Sequence, residues 1–212
     1  TSAESFVDDV LLKRLGMQDL VVGYDYALGK GRSGVTEFLK EQGKAKNFLV
    51  EVIPALYVQG KLVSSTNIRE LVTAGKMRDV RTLLGRYYQI RGEVQHGRQR
   101  GGQQLGYPTA NLRLLEEDLC PKKGVYVTQV IYDGKTYGGV SNIGYNPTFG
   151  EETLVAETHI FGFKDDIYGK PLRINLLRHL RDERKFSGLE ALVQQIEKDI
   201  EVAHRVLDRE CR

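Results

Sequence analysis

Residues 97–111 read GRQRGGQQLGYPTAN. Gly97, Gly101, Gly102 and Gly106 lie among Arg98, Arg100 and Gln103, and the stretch leaves through Pro108, Thr109 and Asn111. Glycines let backbone N–H groups approach an anion closely, so these residue types fit a loop that cradles phosphate. No Lys-Ser or Lys-Thr pair follows, which separates the stretch from a P-loop. In an extended segment Thr109 and Asn111 face the same side. A hydroxyl and an amide oxygen there meet one hard cation that also touches phosphate oxygens, and magnesium suits such a set because it keeps waters and takes few protein ligands. The other reading is a hairpin loop in which Thr109 and Asn111 are turn formers. Residue types alone leave the two open.

Two more stretches have phosphate-binding form. Gly29-Lys30-Gly31-Arg32-Ser33-Gly34 satisfies G-x-G-x-x-G, and Glu51 follows where a ribose-binding acid would sit in a dinucleotide site. The polar gap Tyr24-Asp25-Tyr26 separates it from the strand before it, so a basic turn is the alternative. Ser64-Ser65-Thr66-Asn67-Ile68-Arg69 puts hydroxyls at a helix start with an arginine one turn in. That arrangement binds phosphate or is a plain serine N-cap.

A carboxylate stands out further on. In VAETHIFGF (155–163), Val155, Glu157, His159 and Phe161 share one face of a strand and Ala156, Thr158 and Ile160 the other. Glu157 is either a general base for phosphoryl transfer or an edge-strand glutamate in solvent. His159 reads as a packed, hydrogen-bonded histidine. His96, His159, His179 and His204 show no metal-ligand spacing.

The elements that must position these groups fall into two regions. In the first, TSAE has capping-box form and Phe6, Val7, Val10, Leu11 and Leu15 recur at helical spacing up to Gly16. Residues 19–23 and 48–53 read as short strands, the second stopped by Pro54, and 35–43, 65–75 and 77–85 as helices. From about residue 86 short β-rich runs alternate with turn residues, with Asp133-Gly134 as a hairpin turn, which predicts a sandwich or barrel. An amphipathic helix over 189–207 ends the chain. The boundary is placed at Gly85, giving regions 1–85 and 86–212.

Composition narrows the function. The 212 residues carry 31 Lys and Arg against 28 Asp and Glu, a net charge of +3 that is small for a nucleic-acid binder. Two distant cysteines fit a reducing, cytoplasmic compartment. No run of 18 apolar residues offers a membrane span, and the acidic, amphipathic start is no signal peptide. The chain begins at Thr1 rather than a methionine, and is read as a piece of something longer.

GRQRGGQQLGYPTAN, SNIGYNPTF, ETHIFGFKDDIYG and LRDERKFSGLEAL, in this order, resemble the riboflavin kinases over about residues 86–207. VVGYDYALGKGRSG and SSTNIREL resemble the second half of the FMN adenylyltransferase domain of the bacterial bifunctional enzyme, which makes FMN and then FAD. The resemblance implies an α/β remnant of a Rossmann-like nucleotidylyltransferase domain, followed by a six-stranded Greek-key barrel with a C-terminal helix. It implies ATP under the loop of Gly97, Gly101, Gly102 and Gln103, with Tyr168 near the nucleotide, Mg2+ on Thr109 and Asn111, and Glu157 as the base that takes the proton of the ribityl 5′-hydroxyl of riboflavin. Arg181, Arg184 and Phe186 are implied near the flavin or the transferred phosphate. The products are FMN and ADP.

The sequence departs from the family in two places. Many relatives carry a basic residue where this chain has Gln103. No histidine occurs before His96, so the histidine motif of the adenylyltransferase is absent from these residues. Asp25, Lys30, Arg32, Ser65, Thr66 and Arg69 match the motifs that remain, and the expectation is a chain that makes FMN but not FAD. Two rivals stand beside the kinase: a barrel that binds single-stranded nucleic acid, and a dinucleotide-binding oxidoreductase resting on residues 29–34.

Overall fold

The computed structural model describes residues 1–96, 107–115, 118–145 and 154–210, which pack as two compact units, Thr1–Val63 and Ser64–Arg212. The change in sequence character falls at Gly85, later than this division. The helices between the two points, α3 (Ser65–Thr73) and α4 (Met77–Leu84), bury Val72, Met77 and Val80 in the same cluster as the barrel residues that follow.

In the first unit α1 (Ala3–Ser5) runs into a π-helical segment, Phe6–Leu12. The cap is Ser2, whose Oγ accepts from the Ser5 amide, one residue later than the Thr1 capping box expected from sequence. The wider turn shows in Lys13 N–H donating to Asp8 O and Leu15 N–H to Val10 O. Strands β1 (Asp19–Gly23) and β4 (Leu49–Ile53) pair in parallel, joined across α2 (Thr36–Lys46) as a parallel pair requires. Val7, Val22, Leu28, Leu39 and Phe48 close this core.

Residues 29–34 do not form a strand–turn–helix. Lys30–Arg32 is a 3-10 turn between the two-residue antiparallel strands β2 (Ala27–Leu28) and β3 (Gly34–Val35), and Gly29 and Gly31 take positive φ. A dinucleotide fingerprint needs its last glycine at a helix start packed on a long strand. Here Gly34 is part of a hairpin, which corrects the dinucleotide expectation in favour of the basic turn. A second two-residue pair, β5 (Tyr57–Val58) and β6 (Lys61–Leu62), completes the unit.

The second unit is a closed six-stranded antiparallel barrel. Its strands are β7 (Tyr88–Gln95), β8 (Thr109–Arg113), β9 (Gly124–Tyr132), β10 (Lys135–Tyr145), β11 (Leu154–Ile160) and β12 (Pro171–Arg181). The order around the barrel is β10-β11-β8-β7-β12-β9, so β8 reaches over to β11 and β9 to β12. Asp133 and Gly134 both take positive φ and turn β9 tightly into β10. Alternation along each strand sends Ala110, Leu112, Tyr126, Val130, Ile143, Ala156, Leu172 and Ile174 into the interior. Thr128, Ser141 and Thr158 also point inward and are fully buried, and their hydroxyls bond one another, Ser141 Oγ lying 2.8 Å from Thr158 and 3.2 Å from Thr128.

Helix α5 (Leu189–Glu210) lies on the outer wall, against β9 and β10. Its C-terminal half buries Ala203 and Val206 against Val127 and Leu177. Among the described residues no helix is long and apolar enough to cross a membrane.

Candidate active site

The residues expected to do chemistry sit on the outside of the barrel, because their neighbours in sequence fill the inside. Ala110, Ala156 and Thr158 face inward, so Thr109, Asn111, Glu157 and His159 face outward. Pairing then aligns them. In the β8–β11 ladder Asn111 is opposite Glu157 and Thr109 opposite His159; in the β10–β11 ladder Asn142 is opposite Glu157 and Val140 opposite His159. Directly opposed residues in an antiparallel pair share a face. The row Asn111–Glu157–Asn142 and the row Thr109–His159–Val140 therefore form a polar patch across three strands.

Thr109, Val140, Asn142, Glu157 and His159 of that patch form one wall of a cavity of about 410 Å³. The remaining lining comes from Tyr107 and Val125, from Arg181 at the end of β12 and Glu183, Arg184 and Phe186 just after it, and from Leu192, Ile196, Asp199 and Ile200 on the inner face of α5. A second cavity of about 320 Å³ lies between Val94, Pro108 and Ala110 on one side and the segment Phe163–Tyr168 on the other. Thr109 lines both. The two cavities thus share Thr109, and Glu157 lies on the neighbouring strand β11.

Contacts around the junction fix its parts. His159 Nδ1 donates to the carbonyl of Pro108 at 3.0 Å, which ties the turn before Thr109 to β11. Its ring is met edge-on by Tyr107, with centroids 5.3 Å apart. Asn111 is buried, and its Nδ2 lies 3.5 Å from the Thr109 carbonyl. Tyr168 lines the second cavity and stacks on His96 at 3.8 Å. In the first cavity the Arg181 and Arg184 guanidiniums lie 5.8 and 4.7 Å from the Phe186 ring centre. Arg181 is bound to Asp199, with Nη2–Oδ2 2.7 Å and Nε–Oδ2 2.9 Å, while Arg184 Nη2 donates to Gln195 Oε1. Nearby, Lys122 pairs with Asp182 at 2.6 Å and its hydrogen bond holds the Asp182 carboxyl below the usual range.

Glu157, Thr109, Arg181, Arg184 and Phe186 thus surround one cavity, with Asn111 directly opposite Glu157, and Tyr168 lines the adjoining one. Gly97, Gly101, Gly102 and Gln103 lie outside the described residues. The other six residues divide between the units. Asp25, Lys30 and Arg32 lie in or beside the β2–β3 hairpin, and Ser65, Thr66 and Arg69 open α3, whose cap is Ser64 accepting from the Asn67 amide. Sequence reasoning assigned no site role to Asn142, Tyr107, His159, Glu183, Gln195 or Asp199. Asn142 becomes visible only with the strand register; Asp199 carried a signal, discussed below.

Could this site hold magnesium? Among the described residues no group of three or more His, Cys, Asp or Glu could hold a metal ion. The donors beside Glu157 are instead a hydroxyl and an amide oxygen, a hard but weak set that suits a cation arriving with phosphate and keeping its waters. Helix α5 lines the side of the cavity facing this wall with Leu192, Ile196, Asp199 and Ile200.

The polar patch thus faces outward beside two cavities on a closed six-stranded antiparallel barrel. Residues 84–207 match the riboflavin kinase family model and residues 1–67 the FAD synthetase model. The chain belongs to the riboflavin kinase family. It is 38% identical over 199 residues to the bifunctional riboflavin kinase/FMN adenylyltransferase of Listeria monocytogenes, covering 93% of this chain and 62% of that one. The protein of the same description from Pseudomonas fluorescens is 39% identical over 203 residues, covering 95% and 65%. A solved structure described as a macrolide-efflux protein from Streptococcus pneumoniae superposes with a TM-score of 0.83 at 35% identity, over 96% of this chain and 65% of that one. The chain therefore spans a little under two thirds of the length of these relatives.

Proposed function

We propose that this protein transfers the γ-phosphate of ATP to the ribityl 5′-hydroxyl of riboflavin, giving FMN and ADP. The observation that carries the reading is the junction: Thr109 belongs to both chambers, and Glu157 lies in the row beside it. The flavin occupies the larger chamber, against Phe186 and the apolar face of α5, and ATP enters the one lined by Tyr168. The loop of Gly97, Gly101, Gly102 and Gln103 supplies backbone N–H groups to the phosphates.

In the reaction the Glu157 carboxylate accepts the proton of the 5′-hydroxyl. That oxygen bonds to the γ-phosphorus as the β–γ bridging P–O bond breaks, and ADP leaves. The protein contributes position and charge rather than covalent chemistry. Thr109 and Asn111 would hold Mg2+, which would supply charge neutralisation to the transferred phosphoryl group. Asn142, on the other side of Glu157, and His159, bonded to Pro108 O, keep the wall in register.

The domain reading follows: 86–212 is the kinase domain, and 1–85 carries part of an FMN adenylyltransferase domain. Asp25, Lys30, Arg32, Ser65, Thr66 and Arg69 belong to that second activity. These 212 residues hold no histidine before His96, so as a polypeptide they stop at FMN. The exposed thiol of Cys120 and the absence of cysteine pairs in metal-ligand spacing fit work in the cytoplasm. The test is chromatography of flavins after incubating the chain with riboflavin, ATP and Mg2+, with an EDTA control. FMN without FAD is expected. No FMN overturns the kinase reading, and FAD overturns the account of residues 1–85.

A further inference from the structure

The two arginines of the larger chamber face the same aromatic ring but have different partners. Arg181 is held on three sides: Nη2 and Nε donate to Asp199 Oδ2, Nε also lies 3.2 Å from Oδ1, and Nη1 donates to the Asp182 carbonyl at 3.1 Å. Asp199 is 6% exposed, so its charge and that of Arg181 compensate each other out of solvent. Arg184 donates to Gln195, a neutral amide. Gln195 Nε2 in turn donates to Asp199 Oδ1 at 2.8 Å. The result is one chain of bonds, Arg184–Gln195–Asp199–Arg181, in which α5 supplies the two middle members four residues apart on one helix face.

Resting on the kinase reading above, we propose that Gln195 and Asp199 are positioning residues that divide the two arginines between two tasks. Asp199 makes Arg181 a charge-compensated, fixed part of the chamber wall. Gln195 aims Arg184 over Phe186 without cancelling its charge. Arg184 is then the guanidinium left to donate to carbonyl oxygens of a flat, neutral, aromatic substrate lying on Phe186. Helix α5 is part of the flavin site through these two side chains, beyond its role as an apolar cover.

The asymmetry makes distinct predictions. Gln195→Met keeps chain length and volume but frees Arg184 from its aim. Its riboflavin dissociation constant, read by quenching of flavin fluorescence without ATP, should rise about tenfold, the scale of one hydrogen bond to a charged group. The KM for ATP should stay near wild type, while the melting temperature falls modestly because Asp199 Oδ1 loses its 2.8 Å bond. Gln195→Glu gives Arg184 a counter-charge and sets a second carboxylate beside Asp199, so riboflavin binding should weaken although the geometric tether survives. Asp199→Asn should lower both the melting temperature and riboflavin affinity while leaving the KM for ATP unchanged. Should Asp199→Asn fail to fold, the Gln195 pair still decides. A Gln195→Met protein that makes FMN with an unchanged riboflavin dissociation constant overturns the assignment. So does one whose two KM values and melting temperature shift together, since that marks a merely structural role. A wild-type chain that makes no FMN overturns the kinase reading itself, whatever the variants do.

Discussion

Gly124→Ala tests how the end of β12 is held in place. Gly124 opens β9 at φ +136°, a backbone region side chains rarely adopt. A Cβ there would collide with the Arg181 carbonyl and come within 2.6 Å of His179 Nε2. Both obstacles are anchored. Arg181 pairs with Val125 across the β9–β12 ladder, which is bulged on either side of His179, and the His179 ring packs edge-on to Tyr126 at 5.0 Å. Backbone strain costs about 1–3 kcal/mol. Overpacking against atoms that cannot retreat costs a similar amount, for about 2–6 kcal/mol together. At roughly 4 °C per kcal/mol for a unit of this size, the melting temperature should fall by roughly 8–24 °C. Gly134→Ala is the control. Its φ is +70° but nothing lies within 4 Å of the added carbon, so only the conformational term remains, about 1–2 kcal/mol. Circular-dichroism melts of both variants measure the difference, and riboflavin quenching reports whether Arg181 has moved with the strand end. A Gly124→Ala melt equal to that of Gly134→Ala, with riboflavin affinity intact, would refute the argument that this contact sets the chamber wall.

The remaining predictions address the chamber and the barrel. Gly144→Ala should leave the melt unchanged but weaken riboflavin binding, because the new Cβ lies 2.9 Å from Glu183 Cδ and displaces only that flexible side chain, which lines the chamber; a large fall in melting temperature would contradict this. Glu157→Gln keeps the shape of the wall and removes the proton acceptor, so kcat should drop about 10²–10⁴-fold with riboflavin affinity nearly unchanged; single-turnover FMN formation checks it. Thr109→Ala and Asn111→Ala should raise the Mg2+ and ATP requirement before they touch riboflavin binding, read as separate KM values. Burial pushes the Tyr88 hydroxyl up to about 12 and the Tyr126 hydroxyl up as well, where they donate to the Leu119 and Lys122 carbonyls. The unfolded tyrosines lose protons near their ordinary value of 10.0 while the folded ones keep them, so this stabilisation is full below pH 10 and falls as pH rises from 10 toward 12. Urea melts at pH 9 and pH 11 should show the loss, and Tyr88→Phe should reduce it.

Patterns confined to one element were legible in the sequence, and those that depend on pairing were not. The β-rich run over 124–144 and the alternation in 155–163 named barrel strands, and Asp133-Gly134 named a turn between two of them. The same alternation put Glu157 and His159 on one face and left open whether that face was wet or buried. Register answered it: β8 skips two strands to pair with β11, and only then does Asn111 come opposite Glu157. No local pattern encodes that jump. The boundary read at Gly85 reflects composition, whereas Val72, Met77 and Val80 bury with the barrel although they precede it. The π-helical turn at Phe6–Leu12 also has no sequence mark, because its apolar spacing suits an α-helix equally well.

Asp199 is the instructive omission, because its signal was present. Along α5, positions 192, 196, 199, 203 and 206 follow the alternating four-and-three spacing of a buried stripe, and four of the five are Leu, Ile, Ala and Val. The fifth is an aspartate. A carboxylate in an apolar stripe must find a cation or destabilise the helix against its neighbour, since an unpaired buried charge is strongly unfavourable. The nearest arginines upstream of the helix are Arg184 and Arg181, in the stretch that the family resemblance brought to the flavin. The stripe position alone therefore predicts that one of them folds back onto α5, and the structure selects Arg181. The same reasoning separates the two halves of the helix. Ala203 and Val206 need only an apolar wall and pack on Val127 and Leu177. Leu192 and Ile196 face a chamber that has to stay open for substrate, and there the helix is fixed by directional bonds instead of close packing.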